Sequence, residues 1–212
     1  MPQNKAFKNI FLLICLIAFG YTSCENKREP DFGNETVTVD RTPYSFNDPQ
    51  KEIADELTGE RKFIEAAEVY SNVLAKYEAA GNWEGVVYAF DRLGYFYRRG
   101  GNDSLSNASF SEGIRLAKLQ LPANHILLSK VYLDQAIRAF GKPNYELSIA
   151  FLDSAYRVYN KSEFYDFGLE ENIVNYKYYA FDRSGISYDS AIKYLDIRRL
   201  NDTLIEENPI KL

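Results

Sequence analysis

The chain has 212 residues, 46% of them hydrophobic and 15% aromatic, which is enough to fill one substantial core and fits one domain with a tail. Thirty acidic against 25 basic residues leave a formal charge of −5, which argues against nucleic acid and against anionic lipid surfaces, both of which need clustered Lys and Arg. Two cysteines and a single histidine supply no His/Cys cluster for a metal, and no acidic Ca²⁺-loop pattern is present.

Residues 1–23 read as an export signal. Lys5 and Lys8 form a positive start, Ile10 to Gly20 an apolar run, and Thr22 and Ser23 put small residues just before Cys24. The apolar run is too short to span a ~30 Å hydrocarbon core as a permanent helix. The "YTSC" ending resembles the lipobox of signal peptidase II substrates, with Tyr21 departing from its usual aliphatic first position. That resemblance implies cleavage before Cys24 and lipidation of its thiol, so that the lipid forms the membrane contact. Losing Lys5 and Lys8 shifts the formal charge from −5 by two units, to −7.

Residues 24–48 follow as a lipid-bearing cysteine and a tether, with Pro30, Gly33 and Pro43 among charged and polar residues that lack helical periodicity. As a flexible coil such a segment spans roughly 25 to 30 Å. A short strand at 36–39, "TVTV", is a weak expectation from its alternation.

From residue 49 the chain repeats. Ala66, Ser106, Ser148 and Ala191 lie 40, 42 and 43 residues apart, and similar types follow four and seven residues after each: Tyr70 and Val73, Phe110 and Gly113, Leu152 and Ala155, Leu195 and Arg198. Such spacing stripes one helix face, and small residues there admit a neighbouring helix closely. A period near 42 predicts a solenoid of helical hairpins, none of which buries its apolar face alone. Leu93, Gly94 and Tyr97 on a first helix, then Ser106, Phe110 and Gly113 on a second, resemble the tetratricopeptide (TPR) pattern in its longer variant. The resemblance implies an all-α fold, a right-handed superhelical solenoid of about four TPR-like helical hairpins over 49–212. Turn and cap residues such as Gly81-Asn82, Gly101-Asn102, Pro122-Ala123-Asn124 and Pro143-Asn144 predict helices near 49–57, 62–79, 83–99, 104–119, 124–140, 144–160, 168–183 and 188–200. The ending "AIKYLDIRRLNDTLIEEN" is similar to the last repeat of extracytoplasmic TPR regions in sensor kinases and caspase-like CHAT proteins of Bacteroidetes-type bacteria.

No residue constellation points to catalysis. His125 sits at a predicted helix start and reads as a cap or a surface residue, Glu170-Glu171 and Glu206-Glu207 are adjacent rather than facing pairs, and Gly100-Gly101 lacks the Lys-Ser/Thr of a phosphate loop. No cofactor is expected. What remains is a surface. TPR geometry implies that Tyr88, Asp91, Tyr95, Arg98 and Arg99 face the concave side, where that family holds extended peptides. Aromatic area and bidentate Arg donors suit polar peptide or glycan contact. The expectation is thus a monomeric, non-catalytic, lipid-anchored protein- or peptide-binding module of the bacterial cell envelope, on the outer membrane. The alternative is a glycan- or nutrient-binding lipoprotein of an uptake system. The tyrosine-rich stretch Tyr176, Tyr178, Tyr179 and Phe181 reads as core.

Overall fold

The computed structural model describes residues 41–187, 189–194 and 196. The expected signal segment, Cys24, the strand at 36–39 and the repeat positions Leu195 and Arg198 lie outside them. Among the described residues seven full helices follow one another: α1 (Lys51–Gly59), α2 (Phe63–Ala79), α3 (Trp83–Arg99), α4 (Asp103–Gln120), α5 (Ile126–Phe140), α6 (Tyr145–Lys161) and α7 (Phe167–Ser184). Residues 189–194 begin another helical stretch. Asn82, Asn102, Asn144 and Asp166 each accept the amide three residues on, satisfying a donor that the first turn cannot pair internally. Gly81 and Gly101, each just before one of these caps, take φ of +65° and +81°, which a side chain would oppose. At α5 the start differs from the expectation. His125 rather than Asn124 caps the helix, and Asn124 instead donates to the Lys161 carbonyl at 2.9 Å.

Each helix packs on the next, and the hairpin contact repeats. Ser106 Oγ donates to the Gly94 carbonyl at 2.8 Å, and Ser148 Oγ donates to the Ala136 carbonyl at 3.0 Å, 42 residues further on. Both serines are fully buried. The small side chain lets the second helix close on the first, and its hydroxyl finds a carbonyl at the contact, so no buried polar atom is stranded. A Cβ on Gly94 would stand 2.5 Å from the Phe110 ring, so Gly94 and Phe110 fit only as a pair. In the next repeat Ala136 and Leu152 hold the equivalent positions, both fully buried in one cluster with Phe110.

First helices of successive hairpins also touch, α3 on α5 and α5 on α7, whereas the second helices α4 and α6 do not pack to a similar extent. The layer therefore closes on the first-helix side, which is its inner face. At the C-terminal side Lys177 is fully buried, with its ammonium 2.6 Å from Asp153 Oδ1 and 2.8 Å from the Tyr194 hydroxyl, tying α6, α7 and the last helical stretch together. The tyrosine-rich stretch is not uniform core: Tyr179 is exposed, while Tyr176 packs edge-on against Phe140 with ring centroids 5.7 Å apart.

Residues 41–48, expected to be the end of a tether, lie extended against the helices instead. Thr42 and Pro43 form a two-residue strand, β1, parallel to β2 (Phe164–Tyr165) in the α6–α7 connection. The Thr42 amide donates to the Glu163 carbonyl at 3.0 Å, and the Tyr44 amide to the Tyr165 carbonyl at 2.9 Å.

The repeated serine contact sets an order of stabilities for denaturant unfolding. Ser148→Ala loses a buried hydrogen bond and should cost about 1 kcal/mol. Ser148→Leu overpacks the same contact and should cost about 1 to 3 kcal/mol. Tyr165→Ala, on an exposed connector side chain, should cost less than either. A Ser148→Leu protein as stable as wild type would put the repeat register in error.

Candidate functional site on the inner face

One stripe of α3 builds the site. Glu84, Tyr88, Asp91, Tyr95 and Arg98 follow at steps of three and four, so they share the face that α3 turns inward. The site has three parts along that stripe.

At its N-terminal end the stripe is covered by residues 44–48. Phe46 stacks on Tyr88 with centroids 4.3 Å apart, and the Tyr44 hydroxyl donates to Glu84 Oε1 at 3.2 Å. Asp48 Oδ2 accepts from the hydroxyls of Tyr70 at 2.5 Å and Tyr88 at 3.1 Å, while its Oδ1 takes the Gln50 amide at 2.9 Å, ahead of α1. Burial pushes the phenols of Tyr44 and Tyr70 well above their ordinary range, and the neighbouring carboxylates Glu84 and Asp48 push the same way, so both stay donors. His125 joins this end. Its Nδ1 accepts the Leu127 amide at 3.3 Å and its Nε2 lies 3.2 Å from Glu84 Oε1, an arrangement that needs the neutral ring protonated on Nε2. Burial favours the neutral ring and lowers its pKa against the pull of Glu84. His125 is thus a helix cap.

In the middle lies a buried charge cluster. Arg92 donates to Asp91 Oδ2 through Nε at 3.2 Å and Nη2 at 2.7 Å, and its Nη2 stands 3.7 Å from Asp134 of α5. Asp91 is fully buried, and its Oδ1 has no donor. Burial and the Asp91 charge push the Asp134 carboxyl up to about 7. For Asp91, burial acts upward but is outweighed by Arg92 and Lys130, which hold the carboxyl below its usual range. The raised Asp134 carboxyl keeps its proton beside the charged Asp91 carboxylate, so the two acids titrate as a pair.

At the far end is an open cavity of about 370 Å³ between α3, α5 and α7, with Tyr95, Arg98, Lys130, Ile137 and Tyr176 among its walls. Tyr95 is flanked by two guanidinium groups, Arg92 at 5.2 Å and Arg98 at 5.6 Å from its ring centroid. Arg98 Nε is buried without a hydrogen-bond partner, and the Lys130 ammonium rests over the Tyr88 ring at 5.4 Å. Two cationic side chains, Arg98 and Lys130, and two acids, Asp134 and Asp166, thus line this cavity together.

Four of the five expected concave-face residues thus share one face, in unequal roles. Tyr95 and Arg98 line the cavity, and Tyr88 is already stacked under Phe46. Asp91 is internal, part of the charge cluster rather than a ligand contact. Arg99 turns away, its guanidinium 5.0 Å from the centroid of the Phe63 ring on α2. The residues that sequence reasoning missed are Arg92, Lys130 and Asp134. Arg92 adjoins Asp91, and Lys130 and Asp134 are each 42 residues beyond Tyr88 and Arg92. The repeat period held that signal. Among the described residues there is no group of acids, histidines or cysteines able to hold a metal ion, and no helix long and apolar enough to cross a membrane.

Comparison with solved structures agrees with this architecture. The chain is similar to the crystal structure of BtubC (BKLC) from P. vanneervenii, with a TM-score of 0.63, 11% identity, and coverage of 74% of this chain and 63% of that one. It is also similar to a candidate kinesin light chain with nearly identical TPR-like repeats from Podosopora anserina, with a TM-score of 0.57, 12% identity, and coverage of 75% and 74%. The fold is an all-α solenoid of TPR-like hairpins. The chain spans just under two thirds of BtubC. No family model and no curated protein matches the sequence.

The Asp134 proton has a measurable sign. With its folded pKa raised to about 7 from an unfolded value near 3.9, Asp134 holds a proton in the folded state that the unfolded chain lacks between roughly pH 4 and 7. Stability from this group is full below that window and falls as pH rises through it. Asp134→Asn removes the titration. The variant should match wild type near pH 4 and exceed it at pH 8 by about 1 to 3 kcal/mol. Comparing the two proteins cancels the opposite slope from His125. Thermal melts giving a pH-independent difference would contradict the raised Asp134 carboxyl.

Proposed function

We propose that this protein is a non-catalytic scaffold that binds an extended segment of a partner protein across its inner face, at the cavity beside Tyr95 and Arg98. The observation that carries the reading is that this face already holds an extended peptide, residues 41–48, through backbone pairing, ring stacking and phenol-to-carboxylate bonds. The cavity continues the same stripe and is walled by Arg98 and Lys130, cationic side chains that suit carbonyl or carboxylate oxygens. Tyr95 and Tyr176 add ring area at low entropy cost. The sequence before residue 24 supports a lipid anchor on Cys24, which would present this face in the cell envelope.

Two measurements test it. Photo-crosslinkers at Ile137, in the cavity, and at Arg115, exposed on α4, should give partner adducts from Ile137 only. Tyr95→Ala with Arg98→Glu should abolish those adducts and leave helicity unchanged. Adducts from Arg115 alone, or binding unchanged with a lower melting temperature, would overturn the groove. For the anchor, Cys24→Ala should shift the protein from the membrane to the soluble fraction. An Ala variant that stays with membranes unprocessed would contradict lipidation.

A further inference from the structure

Residues 41–48 lie extended on the surface of the helices, with Tyr44 reaching the edge of the core. Along them, Tyr44, Phe46 and Asp48 are half-buried while Ser45, Asn47 and Pro49 are exposed, the period of an extended strand lying on a surface. Each inward side chain has its own receiving group. Tyr44 meets Glu84 and the Phe164 ring at 5.7 Å, Phe46 meets Tyr88, and Asp48 meets two phenols. The rest is held by backbone pairing with the α6–α7 connection and by Arg41, whose guanidinium donates to the Asn160 carbonyl at 2.9 Å and lies 5.2 Å from the Tyr159 ring centroid. None of the three inward residues is part of a helix, and removing the segment as far as Phe46 leaves every helix cap in place, since Asp48 itself stays at the head of α1.

We infer that residues 41–46 are a displaceable cis-ligand hinged at Asp48, and that the inner face recognises extended peptides with aromatic residues at i and i+2. The inference rests on the inner face being a peptide-binding surface, and it adds which peptides. An aromatic at i is taken between Glu84 and Phe164, and an aromatic at i+2 lies flat on Tyr88. Asp48 stays on the phenols of Tyr70 and Tyr88 at the head of α1 while the two aromatics exchange. A partner segment of this kind would also inherit the strand pairing with β2, so its main chain binds as well as its side chains. While the cis-segment is docked, a partner meets only the fraction of molecules in which it has lifted off, and its apparent affinity is reduced by that fraction.

The test uses the full chain and a fluorescent peptide with the sequence of residues 40–50. Tyr44→Ala with Phe46→Ala should weaken the cis-segment while keeping Asp48. This variant should bind the peptide at least about tenfold tighter than wild type, and a peptide carrying the same two alanines should bind neither chain. Equal affinities for the two chains, or no binding to a variant of wild-type helicity, would overturn the inference. Hydrogen exchange on the wild-type chain guards against a variant that fails to fold. The Thr42 and Tyr44 amides should exchange at least about tenfold faster than the Leu93 amide in α3, because the segment lifts off without unfolding the helices. Exchange as slow as that of Leu93 would make the segment an integral part of the fold and sink the idea. Persistent Ile137 crosslinks to a partner beside a failed peptide titration would reject the cis-ligand and spare the cavity.

Discussion

Close approach of the two helices in each hairpin is the constraint on which the rest depends. It is set at one point per repeat, where a small residue of the second helix meets the first: Ser106 on Gly94 and Ser148 on Ala136. The large side chain four residues later, Phe110 or Leu152, fills the space that the small partner leaves. Hairpins held this tightly behave as rigid units, and their first helices can then stack on one another, α3 on α5 and α5 on α7.

Stacked first helices are what produce a site. They bring Asp91 and Arg92 of α3 against Asp134 of α5, where burial makes two carboxyls titrate as a pair beside one guanidinium. That cluster is costly to bury and fixes how α3 and α5 meet. On either side of it lie the other two parts of the stripe. The N-terminal end carries residues 44–48, and the C-terminal end opens as the cavity under Tyr95 and Arg98. Tyr88 and Tyr95 are each approached by cationic side chains, which hold both rings in place.

The period near 42, the small residues at Ala66, Ser106 and Ser148, and the Asn caps were legible in the sequence, and the helices lie within about two residues of where these place them. Both signals are local or periodic, so a single chain displays them. The site was legible only in part. Position on a helix face predicts direction, which holds for Tyr88, Tyr95 and Arg98, but not depth, which depends on the neighbouring hairpin and took Asp91 into the interior. Arg99 sits one position round the helix from Arg98 and meets Phe63 instead. The docked segment was missed because Pro43 and its polar neighbours read as tether. The alternation of Tyr44, Phe46 and Asp48 becomes a signal only once a surface is there to receive it.

The most direct measurement of the central constraint is a double-mutant cycle at Gly94 and Phe110. Gly94→Ala puts a methyl where the ring stands, and Phe110→Leu removes the ring, so the pair of changes converts this contact into the Ala136/Leu152 form of the next repeat. The intrinsic helix preference of Ala over Gly, about 1 kcal/mol, cancels in the cycle. The account predicts a coupling of at least about 1 kcal/mol in denaturant unfolding, with the double variant more stable than the two single losses added together. Additive losses would contradict it, because the two residues would then not share one close contact.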